Sequence, residues 1–246
     1  MNTAAAAPLL ETSQLSAGYG AAQVLFDLDI EVRRGEVVAL MGRNGAGKSS
    51  TMKAIMGLMD KRGGQVRFLG KDTSGLPPNA LARLGLGYVP EDRRIFTDLT
   101  VTENLEVGRQ PPRRWPDGSA APVWTAQALF GLFPNLGEMP QRPGGRMSGG
   151  EQKMLAVART LMGNPYLVLL DEPSEGVAPL IVEQMVQMVR RLKTQGVSIL
   201  LSEQNLGFAS QVADRAYVLE MGQIRHQGSM AELAANGEAR RSWLGV

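Results

Sequence analysis

The 246-residue chain contains no cysteine and a single histidine, His226. Disulfides, thiolate nucleophiles and cysteine metal sites are therefore excluded, and Ser-His-Asp triads and histidine-rich metal centres are poor candidates. A reducing compartment is compatible with this composition. No apolar run approaches the roughly 18 residues needed to cross a bilayer as a helix. An excess of charge is missing too: 26 Lys and Arg against 24 Asp and Glu leave a net charge of +2, so there is no general electrostatic case for nucleic acid. Met1 to Leu10 is Ala-rich but lacks a basic start and a full apolar core, so no signal peptide is expected and the protein is expected to stay in the cytosol. What remains, 43% hydrophobic and 20% charged, describes an ordinary globular chain. Its length suits one large α/β domain or a core with an inserted subdomain.

The stretch Gly42-Arg43-Asn44-Gly45-Ala46-Gly47-Lys48-Ser49, followed by Ser50 and Thr51, fits the phosphate-loop pattern G-x-x-x-x-G-K-[ST]. Its glycines let backbone N–H groups wrap around phosphate oxygens. Lys48 is placed to reach the terminal phosphates, and the Ser49 hydroxyl to sit on Mg²⁺. Both flanks supply the required context. Val37-Val38-Ala39-Leu40-Met41 reads as a buried strand, while Met52, Ile55, Met56 and Met59 fall at helical spacing, so a helix N-terminus faces the phosphates.

Along the chain, Val24 to Val32 alternates from Phe26 onward and reads as a half-buried antiparallel strand. Val66 and Phe68 repeat the pattern after an expected turn at Gly63-Gly64. Residues 10–70 thus read as an antiparallel sheet beside the start of a nucleotide-binding core. Leu86 to Pro90 is a strand ended by its proline, and Thr100-Val101-Thr102-Glu103 is a capping box opening a helix through Val107. Arg109 to Pro122 reads as a surface loop with no core of its own, its Arg113-Arg114 pair solvated. Val123 to Leu132 is expected to be helical and Pro134 to Arg146 irregular. Ser148-Gly149-Gly150-Glu151 is a second capping box, with Leu155, Ala158 and Met162 behind it at helical spacing. Leu167 to Leu170 is an apolar strand running into Asp171-Glu172-Pro173. A long helix from Pro179 carries an apolar stripe through Ile181, Met185, Met188, Val189 and Leu192. Val197–Leu201 is a strand, Leu206–Val212 a helix and Ala216–Leu219 a strand; a hairpin at Met221-Gly222 and a third capping box at Ser229-Glu232 follow. Strands alternating with helices call for a mostly parallel sheet covered on both faces.

Asp171 ends its strand, as required of a carboxylate held at a sheet edge to fix Mg²⁺ through water. Beyond the strand, Glu172 is able to turn toward the same site, one acid holding metal while the other orients water. The hydroxyl of Ser148, the two amides that follow and a helix N-terminus form either a simple helix cap or an anion site, and the order of the motifs decides for the second.

In this order the motifs make the chain resemble the ATP-binding subunit of ABC transporters along nearly its whole length. Gly42 to Ser49 corresponds to the Walker A loop, Met147 to Gln152 to the signature motif, and Leu167 to Glu172 to Walker B with the catalytic glutamate; Tyr19 stands where that family stacks an aromatic on adenine. The resemblance implies a P-loop NTPase (RecA-like) core with a parallel sheet, an N-terminal antiparallel β subdomain and an inserted α-helical subdomain. Residues 1–246 are then a single ABC ATPase domain, with 1–87 and 163–246 as core and 88–162 as the helical part. ATP and Mg²⁺ are the implied ligands. Nucleotide contacts fall on Tyr19, Gly42, Asn44, Gly45, Ala46, Gly47, Lys48, Ser49 and Ser50, and on Ser148, Gly149 and Gly150 of a second subunit docked head to tail. Metal ligation is implied at Ser49, Glu91 and Asp171, and catalytic roles at Glu172, Gln204 and Lys48. The partners implied are a second ABC ATPase subunit, identical or not, membrane permease subunits that dock between Glu91 and about Leu136, and indirectly a periplasmic solute-binding protein. The expected location is cytoplasmic, on the inner face of the membrane.

Two departures from the common pattern narrow the branch. Glu91 stands where a glutamine is usual, and Gln204, within Ser202-Glu203-Gln204-Asn205, where a histidine is usual. A carboxylate at 91 is a stronger metal ligand than an amide but repels bare phosphate. Gln204 donates a hydrogen bond to phosphate without titrating near neutrality. Together with Pro90 to Phe96 and Asp171 to Pro179, these changes resemble the second ATPase of branched-chain amino-acid uptake systems, a branch whose relatives also import urea and short amides. Two other classes fit less of the chain. A soluble ABC ATPase of DNA repair or translation carries a long coiled coil or two cassettes, absent here. A P-loop GTPase or small-molecule kinase leaves Ser148-Gly149-Gly150 unexplained, and the guanine reader Asn-Lys-x-Asp is missing.

Overall fold

In a computed structural model, which describes residues 7–235 and residue 237, the chain builds two sheets. The first six residues of the Ala-rich start lie outside the described residues. Strands β1 (Leu10–Tyr19), β2 (Ala22–Val32), β4 (Asp60–Phe68) and β5 (Lys71–Asp72) form an antiparallel sheet in the order β2-β1-β4-β5. Strands β3 (Val37–Met41), β6 (Leu86–Val89), β7 (Leu167–Asp171), β8 (Ser198–Glu203), β9 (Arg215–Glu220) and β10 (Gln223–Ser229) form the second sheet, in the order β10-β9-β3-β8-β7-β6. This sheet is parallel except for the β9–β10 hairpin at its edge.

The central strands are buried along their whole length, which is why they read as unbroken apolar runs. Alternation divides them between two cores. Val37, Ala39 and Met41 join Val168, Leu170, Ile199 and Leu201 on one face, under α6 (Gly149–Leu161), α7 (Pro179–Thr194) and α8 (Leu206–Val212). Val38 and Leu40 join Leu167, Leu169 and Leu200 on the other, with α1 (Lys48–Ile55) and the antiparallel sheet. Helix α2 (Pro78–Leu84) precedes β6, and between β6 and β7 the helices α3 (Val101–Gly108), α4 (Ala126–Leu132) and α5 (Pro134–Glu138) lead to α6. The capping boxes at Thr100/Glu103, Ser148/Glu151 and Ser229/Glu232 all form. This is a P-loop NTPase fold with an antiparallel β unit and an inserted helical unit.

Several local expectations are corrected. Gly63-Gly64 is not a turn but an irregularity inside β4, where the pairing with β1 shifts register between Ser13 and Ser16. Gly64 has φ 74°, and a Cβ there would lie 2.2 Å from the Gln14 carbonyl oxygen, so only glycine fits. In β2 the alternation changes phase at Asp27 (φ 52°): Leu25, Leu28, Ile30 and Val32 are buried, and Phe26 is turned outward. The 109–122 segment does reach the core. Trp115 is buried, packs at a tilt against Tyr166 with ring centroids 4.7 Å apart and lies under the Arg34 guanidinium. Arg113 is not a solvated charge: it donates to the carbonyls of Asn164 (2.9 Å) and Arg83 (2.6 Å), and burial pulls its pKa down. The helix expected from Val123 begins at Ala126, where Thr125 caps it, and the stretch expected to be irregular contains α5. β8 continues past Leu201 to Glu203.

Gly64→Ala should lower unfolding stability by about 1–3 kcal/mol through backbone strain and collision. The measurement is the urea midpoint; an unchanged midpoint contradicts the geometry.

Candidate active site

The phosphate loop runs from the end of β3 into α1 on backbone that only glycine adopts easily. Gly47, the N-cap of α1, has φ 109°, and a Cβ there would press on Leu25 and Gly222 at 3.1 and 3.3 Å. No side chain caps α1 and no acid lies in its first turn, so its leading amides are left for an anion. Gly42 is pinned in turn, because a Cβ would meet the Leu219 carbonyl oxygen at 2.4 Å.

Asp171, at the buried end of β7, collects hydroxyls from three elements. Its Oδ1 accepts from Ser49 Oγ (2.9 Å) and Ser202 Oγ (2.7 Å), and its Oδ2 from Tyr88 OH (3.1 Å). Burial, reinforced by the Asp171 carboxylate, pushes the Tyr88 hydroxyl well above the usual phenol range, so it stays a donor. Ser202 also accepts from the Glu172 amide at 2.9 Å. Glu172 takes the left-handed conformation (φ 48°), which lets both acids of the pair reach one site. Its Oε1 lies 3.0 Å from Lys48 Nζ, with the two side chains 9% and 3% exposed. Lys48 further donates to the carbonyls of Gly42 (2.9 Å) and Arg43 (3.2 Å).

Two open clefts share Ser49. One, of about 390 Å³, is lined by Gly45, Gly47, Lys48, Ser50 and Glu172, with Phe26 and Met221 on its far wall. The other, of about 380 Å³, is lined by Tyr19, Tyr88, Glu91 and Asp171. Tyr19 is 48% exposed, its hydroxyl 3.4 Å from Ser50 Oγ. Glu91, Glu172 and Glu175 bring carboxylate oxygens within 4.8 Å of one another. The structure thus brings together the loop, Asp171, Glu172, Glu91 and Tyr19. Ala46 is buried behind the loop and Asn44 is exposed on it. Gln204 is exposed and lines neither cleft, and the same is true of Ser148 at the start of α6. Packing is tight at Gly150, where a Cβ would lie 2.8 Å from Ile181; at Gly149 a Cβ would meet only the flexible end of Arg93, at 3.1 Å.

Sequence reasoning missed Tyr88 and Ser202 as partners of Asp171. Ser202 had a signal in the topology, since β7 and β8 are parallel neighbours with Asp171 opposite Ser202. It also missed Glu203, a buried carboxylate that accepts from the amides of Ser174 (2.9 Å) and Asn205 (3.2 Å). Burial raises its pKa, and those amides oppose the rise.

A glycine-rich loop leading into an uncapped helix, with its lysine and serine facing adjacent acids at the next strand but one, defines a P-loop nucleotide hydrolase. The family model described as ABC transporter matches residues 25–175. The chain is 42% identical over 237 residues to the high-affinity branched-chain amino acid transport ATP-binding protein BraG of Pseudomonas aeruginosa, covering 96% of this chain and 100% of that protein. It is 32% identical to the probable branched-chain amino acid transport ATP-binding protein LivF of Archaeoglobus fulgidus (97% and 99% covered), and 31% to the lipopolysaccharide export system ATP-binding protein LptB of Escherichia coli (96% and 97%). Among solved structures, a nucleotide-free ATP-binding cassette from an ABC transporter superposes with TM-score 0.80 at 26% identity, covering 98% of this chain and 99% of that one. The ADP conformation of such a cassette superposes with TM-score 0.78 at 28% identity, covering 95% and 97%. The chain belongs to the ABC transporter family, as an ATP-binding and ATP-hydrolysing subunit. Among the described residues no helix is long and apolar enough to cross a membrane.

Ser202→Ala should cost about 1–3 kcal/mol, because it leaves the buried Glu172 amide without an acceptor and takes one donor from Asp171. Chemical denaturation measures this; a variant as stable as the parent contradicts it.

Proposed function

We propose that this chain energises a branched-chain amino-acid importer, hydrolysing ATP to drive a membrane permease. The observation that carries the reading is the 42% identity to BraG across essentially both chains. The presence of Glu91 and Gln204 at the two branch-marking positions adds to it.

In this reading the triphosphate lies along residues 42–50, with Gly42, Asn44, Gly45, Ala46, Gly47 and Ser50 offering backbone or hydroxyl donors and Tyr19 stacking on the base. Arriving phosphates draw the Lys48 ammonium away from Glu172, which leaves that carboxylate to accept a hydrogen bond from the attacking water. Water adds to the γ-phosphorus as the bond to the β–γ bridging oxygen breaks, giving ADP and phosphate. Gln204 positions the γ-phosphate without taking a proton. Ser148, Gly149 and Gly150 of a second ATPase subunit, identical or not, complete the site from across a head-to-tail dimer.

The donor set suits Mg²⁺: Ser49 and Asp171 present hard oxygens 2.9 Å apart, and Glu91 lines the same cleft. Bound there, the ion neutralises phosphate charge. Ser49, Asp171 and Glu91 would hold it.

The permease contact is assigned between Glu91 and about Leu136 within the helical unit 88–162, and 1–87 with 163–246 form the nucleotide core; the ends of that core (1–6, 236 and 238–246) lie outside the described residues. A groove of about 530 Å³ at the seam of that unit and the core, bordered by exposed Leu58, Phe96 and Val107, adjoins that stretch. The subunit then sits on the cytoplasmic face of the membrane, and a periplasmic solute-binding protein acts through the permease.

Glu172→Gln, assembled with the permease and partner ATPase in proteoliposomes, should bind ATP as the parent does and lose at least about 100-fold in both hydrolysis and leucine uptake. Parental turnover would remove Glu172 from its role. Normal ATP loss without leucine uptake by the parental complex would move the substrate assignment elsewhere.

A further inference from the structure

One buried cation is left unused by this scheme. Lys153, on the second turn of α6, is 3% exposed, and its ammonium donates to the backbone carbonyls of Glu172 and Glu175, the latter at 3.1 Å. Burial pulls its pKa down, while Glu203, Glu91 and Glu172 favour the charged form. A lysine this deep is uncommon, and here its acceptors are main-chain oxygens of one short turn rather than a carboxylate partner.

That turn carries Glu172 in a conformation costly for a residue with a Cβ. Its direction is fixed at both ends: the Glu172 amide donates to Ser202, and the Glu172 carbonyl is held by Lys153. Glu203 holds the Ser174 amide between the two carbonyls that Lys153 grips. Ser202 and Glu203 belong to β8, next to β7, but Lys153 comes from the helix that opens at Ser148. Without Lys153 the Glu172 carbonyl keeps only the Glu175 amide (3.2 Å), a contact within the same turn, so Glu172 is able to relax toward ordinary φ and swing its carboxylate out of the cleft it shares with Lys48 and Ser49.

We propose that Lys153 is the positioning residue for Glu172: by gripping the carbonyls of residues 172 and 175 it holds that carboxylate over the nucleotide cleft, so the helix beginning at Ser148 also aims the water-orienting acid. The inference rests on Glu172 having that role.

The test uses the assembled transporter carrying Lys153→Met, which keeps the apolar stem and removes the ammonium, and Lys153→Arg, which restores a cationic donor. Lys153→Met should lower kcat about 10- to 100-fold, with KM for ATP and ATP affinity within about twofold of the parent. Lys153→Arg should recover much of that loss. In single turnovers on a Glu172→Gln background, Lys153→Met should cost nothing further, since the group it aims is already gone. Parental kcat in Lys153→Met overturns the proposal, and so does an undiminished further loss on the Glu172→Gln background; either result leaves Glu172's own role intact. Parental turnover by Glu172→Gln alone would instead remove the reading beneath both.

Discussion

A carboxylate buried at the end of one strand organises this molecule. Asp171 takes hydroxyl donors from α1, β6 and β8, so the phosphate-loop helix and two strands converge on the same two oxygens. A buried carboxylate without partners would be prohibitively costly. With three donors it fixes the register of three elements beside the phosphate loop. The apolar strands behind it serve that placement: β7 and β8 are buried throughout and bring Asp171, Ser202 and Glu203 to their carboxyl ends, while Ser198 at the start of β8 accepts from the Gly35 amide.

Immediately after Asp171 the chain makes a turn that belongs to no regular element, and its backbone is held by side chains from elsewhere. Ser202 and Glu203 hold amides, and Lys153 holds carbonyls. Polar groups in an irregular buried segment need such partners. The two sheet faces, each with its own apolar core, support this turn from α6 on one side and the phosphate loop on the other. The Lys48–Glu172 pair spans the space between them.

Much of this was legible in the residues. The phosphate loop, the Asp171-Glu172 pair and the three capping boxes are contiguous patterns, and local sequence encodes them directly. The alternation from strand to helix gave the parallel sheet. What escaped depends on which strands become neighbours. The meeting of Tyr88 and Ser202 at Asp171 follows from the order β8-β7-β6, which no short window contains. Gly63-Gly64 looked like a turn because paired glycines usually are, whereas its cause is a close crossing with Gln14 some fifty residues earlier. Arg113 looked solvated in a polar, proline-rich stretch read as a surface loop, and only the fold supplies the carbonyls that hold it and the Tyr166 ring against Trp115. Lys153 carries no local signal, since its acceptors lie in the 172–175 turn that only the fold sets against it.

The central claim is that Asp171 and Ser49 are pre-set to hold the magnesium that accompanies the triphosphate. Calorimetric titration of ATP, with magnesium and with chelator, into the parent and Asp171→Asn tests it most directly. The account predicts that magnesium tightens ATP binding to the parent by at least about tenfold, and that the two titrations of Asp171→Asn coincide. A variant that keeps the full magnesium dependence would contradict it.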